Sequence, residues 1–128
     1  VILGGDSINY RADGLIISTP TGSTAYSMSA GGPIIDPLTQ SICITPICSH
    51  SLSAKPILLG AENTIKVKAY SKKRTDIYLT IDGRKVAAVK PYTDILIRRS
   101  KQYAKLIRLN DRSFYKTLSG KFKDGRSI

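Results

Sequence analysis

The chain has 128 residues, of which 20 are lysine or arginine and 9 are acidic, so that its net charge is +11. This length suits one domain with a core of its own and is short for two domains. No apolar stretch approaches the length of a membrane-spanning helix and no secretory signal is visible, so we expect a cytoplasmic protein that does not enter a membrane. The positive charge is compatible with a polyanionic partner but identifies none.

The first part of the sequence predicts short strands that lead into a corner. The stretch VILGGDSINY predicts two short strands around a turn at the letters GGD. DGLIIS places three apolar residues in a row, which is typical of a strand covered on both faces. After the letters TPTG, the stretch STAYSMSAGG predicts a short helix, with Ser23 as its N-cap and with Gly31 and Gly32 ending it.

The rest of the sequence consists mostly of predicted strands, which are ICITPIC, PILLG, TIKVKAY, DIYLTID, KVAAV, TDILIRRS and YAKLIRLN. DIYLTID and KVAAV flank Asp82 and Gly83, a pair typical of a tight hairpin turn. The stretch SFYKTLSGKFK predicts a short amphipathic helix capped at Ser113, with Phe114, Leu118 and Phe122 facing inward. The final letters KDGRSI are expected to fray.

About eight or nine short strands with turn residues between them indicate a mainly β fold, either a sandwich or a barrel-like domain. We therefore predict a single domain over residues 1–128, with one short helix after the TPTG loop and a second near the C-terminus. Cys43 and Cys48 match no zinc pattern, and we predict two free thiols, buried or half-buried. His50 lies close by, and the pattern does not assign it to the surface, the core or a pocket.

The string TPTGSTAY, residues 19–26, places a proline, a glycine and several hydroxyl-bearing side chains between a predicted strand and a predicted helix. Pro20 ends the strand, and Gly22 permits a close approach to the backbone. The hydroxyls of Thr21, Ser23 and Thr24 are expected to be exposed, where they can donate and accept hydrogen bonds. The aromatic ring of the tyrosine that ends the string is suited to stacking on an aromatic ligand. These properties leave two interpretations open, a capped corner or a nucleotide contact.

A longer stretch, YRADGLIISTPTGSTAYSMSAGGPIIDP, resembles the signature of the NAD kinase family, whose members phosphorylate the adenosine 2′-hydroxyl of NAD to give NADP. The resemblance continues through ITPICSHSLSAKPILL and TIDGRK to SFYKTL, which is nearly the whole chain. It implies a β-sandwich-like C-terminal domain that binds NAD and forms dimers or tetramers, in which a neighbouring subunit contributes some of the contacts with NAD. It also implies that ATP or polyphosphate is the phosphoryl donor and that a divalent metal such as Mg²⁺ takes part.

Two motifs of that family do not occur in this sequence. The resemblance places a GGDG motif with the catalytic aspartate, and an Asn-Glu pair that grips NAD, in an N-terminal α/β domain upstream. The letters GGDS at 4–7 stand too close to Asp13 to be that motif, and a hairpin turn explains them. We therefore expect no catalytic residue and no metal ligand in this chain, and we expect the chain alone to be inactive.

By the same resemblance, six positions are expected to line the NAD pocket: Asp13, Thr21, Thr24, Ala25, Tyr26 and Ser29. The two threonines would hydrogen-bond the adenine edge or neighbouring groups, and the alanine would offer backbone contacts. The tyrosine would pack against the ligand, and the serine would approach the nicotinamide amide. Asp82, Gly83 and Arg84 match a further family block, where a ligand contact and a plain hairpin turn both remain open.

Two other functions were compared with this interpretation. A basic β-domain that binds nucleic acid would use the positive charge and the tyrosines, but the aromatic residues are not grouped as a stacking platform, so nucleic acid is not the expected partner. A lipid kinase domain of the diacylglycerol kinase type would share the architecture without a reason for the full TPTGSTAY string.

Overall fold

The computed structural model describes residues 1–71, 76–105, 107, 109 and 113–123, except for the side chains of 121–123. The strands in this part are β1 (Ile2–Leu3), β2 (Asp6–Ser7), β3 (Gly14–Ser18), β4 (Ser41–Ile47), β5 (Ile57–Gly60), β6 (Ile65–Lys68), β7 (Ile77–Ile81), β8 (Arg84–Val89) and β9 (Asp94–Ile97). The helices are a 3-10 helix (Thr21–Thr24), α1 (Tyr26–Ser29) and α2 (Phe114–Lys123).

The strands form antiparallel sheets, so the prediction of a mainly β fold is confirmed. One sheet has the order β2-β1-β6-β9 and a second has the order β3-β4-β5. Among the described strands, β7 and β8 pair only with each other. Their turn has positive φ angles at Asp82 (47°) and Gly83 (77°), as the Asp-Gly pair predicts for a tight hairpin.

The first two strands confirm that the early glycines form a turn. Gly4 and Gly5 connect β1 to β2 with φ angles of 56° and 102°, which glycine adopts without a steric penalty. Asp6, which was predicted within the turn, is the first residue of β2 and is exposed. The letters GGDS are therefore accounted for by the backbone geometry of a hairpin.

The core lies on one face of the β3-β4-β5 sheet. Ile42, Ile44 and Ile65 form a buried cluster, and alternation along β4 puts Ile42 and Ile44 on the same face. The partly buried residues packed against this cluster are Val1, Leu3, Tyr10, Leu15, Ile17, Leu59, Val67 and Ile97. Because they come from β1, β3, β5, β6 and β9, among other segments, the cluster joins the two larger sheets.

The opposite face of β4 carries small side chains. Ser41, Cys43 and Thr45 alternate with the core isoleucines, and all three are buried. Side chains of this size allow another segment to approach the strand closely. The residues that follow β3 use this space, because Ser27 of α1 shares a hydrogen bond with Thr45.

The second half of the chain agrees with its prediction in part. The predicted strand at 103–110 lies partly outside the described residues, and Tyr103, Ala104 and Lys105 form no strand. The predicted cap of α2 is confirmed, because the Lys116 N–H donates to Ser113 Oγ at 3.2 Å. Phe114 and Leu118 are half-buried as predicted. The side chain of Phe122 and residues 124–128 lie outside the described part.

Helix α2 is tied to the segment that follows α1. The Tyr115 hydroxyl donates to Asp36 Oδ2 at 2.7 Å. This hydrogen bond and the nearby negative charge raise the pKa of the Tyr115 phenol, because both disfavour the phenolate.

The two cysteines are free thiols, as predicted, and their environments differ. Cys43 is buried on β4, whereas Cys48 is exposed and has a φ of 45° just beyond the end of that strand. The prediction of two buried or half-buried thiols is therefore wrong for Cys48, because the chain turns at this residue after β4 ends.

Candidate functional site

The site is a corner that runs from the end of β3 through α1. Pro20 starts the 3-10 helix, and Thr19 Oγ1 accepts a hydrogen bond from the Gly22 N–H at 3.1 Å. Ala25 interrupts the helical path with φ −95° and ψ −132°, and α1 begins at the next residue. Gly31 turns the chain away after α1 with a φ of 86°. Residues 21–29 therefore form two short helical turns with a break at Ala25 between them.

Ser23 lies inside this corner and not on its surface. Its side chain is fully buried, and its hydroxyl donates a hydrogen bond to the Pro20 carbonyl at 2.6 Å. The hydroxyl oxygen, Ser23 Oγ, also accepts a hydrogen bond from the Ile35 N–H at 3.1 Å. The prediction that Ser23 is an exposed N-cap is wrong, because α1 begins at Tyr26 and has no side-chain cap. Its hydroxyl instead connects the backbone of Pro20 to that of Ile35, which lies in the segment after α1.

Ser27 is the second hydroxyl that points inward. It is 1% exposed, and its Oγ shares a hydrogen bond of 2.9 Å with Oγ1 of the fully buried Thr45. Ser27 therefore fixes the corner to β4, whereas Ser23 links the corner to Ile35 in the segment that follows α1. Neither residue was predicted to have this role.

The predicted pocket residues of the corner face outward together. Thr21, Ala25, Tyr26 and Ser29 are exposed, and the tyrosine side chain is 61% exposed. Thr24 is half-buried, and its hydroxyl donates to the Thr21 carbonyl at 3.4 Å. The structure thus gathers five of the six predicted positions on one short segment, with hydroxyls and an aromatic ring available to a ligand.

Asp13, the sixth predicted position, lies at the other end of β3. The strand runs from Gly14 to Ser18, and at about 3.3 Å per residue it separates Asp13 from the corner by about 15 Å or more. The Asp13 N–H donates to the Ile47 carbonyl at 2.9 Å, which places it beside the end of β4. The structure does not bring Asp13 and the corner residues together within one chain.

His50, which the sequence left unassigned, lies beside Asp13. Its Nε2 is 3.8 Å from Asp13 Oδ1, and both side chains are mostly exposed. The His50 N–H donates to the Arg11 carbonyl at 2.9 Å, and the Ser49 hydroxyl donates to the same oxygen at 3.4 Å. His50 is therefore a surface residue of a polar patch next to Asp13. The only earlier sign of this was its position just beyond a predicted strand.

The tip of the β7–β8 hairpin carries the other predicted residues, Asp82, Gly83 and Arg84. All three are exposed. Within the described part of the chain, no hydrogen bond or ion pair connects their side chains to residues 21–29. The hairpin geometry agrees with the structural interpretation of these residues, and a ligand contact stays a prediction.

Two general features of the described residues bear on the type of site. No three His, Cys, Asp or Glu side chains come together there in a group that could hold a metal ion. None of the helices in the same part of the chain has the length and apolar character needed to cross a membrane.

Comparisons with known proteins identify the family. Residues 6–109 match the family called ATP-NAD kinase C-terminal domain. The chain is 42% identical over 128 residues to an NAD kinase of Lachnoclostridium phytofermentans, covering 97% of this chain and 45% of that protein. It is 46% identical over 115 residues to an NAD kinase of Caldicellulosiruptor bescii, covering 90% and 43% respectively. The chain thus spans less than half the length of these relatives.

Solved structures show the same relationship. A yeast NADH kinase in complex with NADH is similar, with a TM-score of 0.65 and 38% identity over 73% of this chain and 27% of that one. An NAD kinase from Archaeoglobus fulgidus in complex with ATP has a TM-score of 0.65 and 30% identity over 78% of this chain and 38% of that one. These matches favour the NAD kinase family over the nucleic-acid-binding and lipid kinase alternatives. The chain belongs to the ATP-NAD kinase C-terminal domain family.

Proposed function

We propose that this chain is the dinucleotide-binding domain of an NAD kinase, which transfers a phosphoryl group from ATP or polyphosphate to the adenosine 2′-hydroxyl of NAD. The observation that carries this proposal is the outward face of the corner in a chain of this family. Residues 21–29 present hydroxyls and an exposed ring, while the buried hydroxyl of Ser27 holds the segment on β4 and that of Ser23 holds it on the backbone of Ile35.

In this proposal each outward residue has a distinct role toward NAD. Thr21 and Thr24 hydrogen-bond the adenine edge, and Ala25 offers its backbone groups. Tyr26 packs its exposed ring against the ligand, a contact that buries apolar area and suits an aromatic base. Ser29 donates to or accepts from the nicotinamide amide. A rigidly anchored segment with few polar contacts positions the acceptor, and phosphoryl transfer depends largely on such positioning.

Asp13 joins the same ligand from a second copy of the chain. The length of β3 keeps Asp13 away from the corner of its own subunit, which supports a homodimer or homotetramer in which two subunits share a dinucleotide. His50 lies beside Asp13 and belongs to the same shared patch.

The donor nucleotide, the divalent metal and the catalytic aspartate belong in this proposal to an N-terminal α/β domain. This assignment is supported by relatives that are more than twice as long as the matched region. The described residues of this chain do not gather a set of metal ligands, so none of them is assigned to Mg²⁺. Two free thiols are consistent with a cytoplasmic protein, which is part of the same proposal.

The purified 128-residue chain is expected to form no NADP from NAD with ATP or polyphosphate. The physical reason is that a domain that only positions NAD supplies neither the binding site for ATP or polyphosphate nor the catalytic aspartate. The measurement is an enzymatic assay of NADP, with the full-length protein as the active control. NADP formation by the chain alone would contradict the assignment of the donor site and the catalytic aspartate to an N-terminal domain.

Replacing Tyr26 with alanine in the full-length protein is expected to raise the KM for NAD about tenfold, because the lost ring contact is worth about 1.4 kcal/mol. Tyr70→Ala is the matched control, since Tyr70 is 59% exposed, against 61% for Tyr26, and stacks on Tyr92 outside the corner. The control should retain the KM of the parent protein. Equal KM values for Tyr26→Ala and the parent protein would contradict the proposed contact.

A further inference from the structure

The base of the corner contains a buried pair of hydroxyls that does not face the proposed ligand. Ser27 Oγ and Thr45 Oγ1 are 2.9 Å apart, and both residues are at most 1% exposed. Cys43 Sγ lies 3.5 Å from the same Thr45 oxygen. The pair therefore connects α1 to the middle of β4 in a place that solvent does not reach.

Gly32 closes this contact from the other side. Its N–H donates to the Ser27 carbonyl at 2.8 Å. A Cβ atom at this position would lie 2.7 Å from the Ser27 carbonyl oxygen and 2.7 Å from Thr45 Oγ1. The backbone of Gly32 thus packs directly against the hydroxyl pair, and only a residue without a side chain fits there.

Helix α1 depends on this contact for its orientation. It has four residues, Tyr26–Ser29, and a single turn of helix is not stable by itself. Its direction and rotation must therefore come from tertiary contacts. Because Ser27 follows Tyr26 directly, the rotation that aims Ser27 at Thr45 also determines where the tyrosine ring and the Ser29 hydroxyl point.

We propose that the hydrogen-bonded pair of Ser27 and Thr45 positions Tyr26 and Ser29 for the dinucleotide without touching it. This inference rests on the proposed function, because it assumes that the corner binds NAD. Ser27 and Thr45 are positioning residues, and they act through the orientation of α1. Their hydroxyls matter for NAD recognition as well as for folding.

The two hydroxyls depend on each other. Removing one leaves the other buried without this hydrogen bond, and Thr45 Oγ1 then keeps only its weaker contact with Cys43 Sγ, whereas replacing both hydroxyls by apolar groups can be nearly neutral. A single replacement is therefore expected to rotate or displace α1 until the remaining hydroxyl finds a new partner. The double replacement removes that demand and should restore part of the original orientation.

The test is the KM for NAD of variants of the full-length protein, measured at a temperature at which circular dichroism shows each variant to be folded. Thr45→Val and Ser27→Ala are each expected to raise the KM about fivefold to tenfold. Ser27→Ala/Thr45→Val should raise it less than the two effects combined. Thr45→Ser keeps the hydroxyl and should retain the KM of the parent protein, so the hydroxyl is tested separately from the methyl group.

Ser41→Ala is the matched control. Ser41 lies on the same buried face of β4, and its hydroxyl has no hydrogen-bond partner among the described residues. Loss of this hydroxyl should leave the KM unchanged. If Thr45→Val does not fold, Ser27→Ala and Thr45→Ser still decide between the alternatives.

The outcomes separate the inference from the function on which it rests. A KM within twofold of the parent value for folded Ser27→Ala and Thr45→Val would overturn the positioning role and leave the proposed function intact. Effects that are fully additive in the double variant would also overturn it. A parent protein that does not use NAD at all would overturn the proposed function, and the positioning role with it.

Discussion

Replacing Ile44 with alanine is expected to lower the free energy of unfolding by about 2–5 kcal/mol. Ile44 is 0% exposed and belongs to the buried cluster with Ile42 and Ile65. The replacement removes buried apolar area and leaves a cavity that the strands on either side cannot fully close. In the register, Ile44 lies opposite Ile17 on β3 and Ile57 on β5, so a cavity there weakens both strand pairs. Urea unfolding followed by circular dichroism measures the change.

Leu58→Ala is the control for this prediction. Leu58 lies on the neighbouring strand β5, is 51% exposed, and faces away from the Ile44 side of the sheet. Since half of its side chain is already in water, its loss should cost about 1 kcal/mol or less. A loss at Ile44 no larger than that at Leu58 would contradict the assignment of the core to this face.

Replacing Gly32 with alanine is expected to destabilise the chain by about 1–3 kcal/mol and to weaken the use of NAD by the full-length protein. The new methyl group would meet the Ser27 carbonyl oxygen and Thr45 Oγ1, each at 2.7 Å, as well as Ser27 Oγ. The carbonyl is part of the backbone of α1, so the helix must move to make room. The same movement shifts Tyr26, and therefore stability and NAD affinity should fall together.

Gly120→Ala provides the matched control, because it adds the same methyl group on α2 with no atom within 4 Å of it. Alanine favours a helix over glycine by about 1 kcal/mol, so this variant should be as stable as the parent or slightly more stable. Urea unfolding and the KM for NAD test both variants. Unchanged values for Gly32→Ala would show that α1 can move away from β4 without consequence.

Much of the fold follows from local patterns. The strict alternation in TIKVKAY predicts β6, and the Asp-Gly pair predicts the turn between β7 and β8, because both depend on residues close in sequence. Ser113 caps α2 as predicted for the same reason. These elements need no knowledge of what packs against them.

The details of the site were less predictable because they depend on distant residues. Ser23 and Thr24 have similar side chains, yet one is fully buried and the other half-buried, since successive residues of the 3-10 helix point in different directions. The partner of Ser27 lies 18 residues away on β4. Nothing in the local pattern distinguishes a hydroxyl that holds the fold from one that meets a ligand.

The position of Asp13 shows a further limit. The family resemblance groups it with Tyr26 in one pocket, whereas the strand between them keeps the two residues apart in a single chain. The six site residues assigned by resemblance stay a prediction, and the length of β3 means that a single chain does not bring all of them to one place.

The two directions in which the corner hydroxyls point have a consequence for how ligand preference can change. The side chains of Thr21, Tyr26 and Ser29 reach solvent, so substitutions there should cost little in folding and, in the proposed function, should change the contacts with NAD. Substitutions of Ser23 and Ser27 should instead reduce the stability of the fold, because the hydroxyl of each is hydrogen-bonded to a partner inside the molecule. Directed evolution toward a different dinucleotide should therefore accumulate its changes at the exposed residues Thr21, Tyr26 and Ser29. It should leave the buried residues Ser23 and Ser27 unchanged.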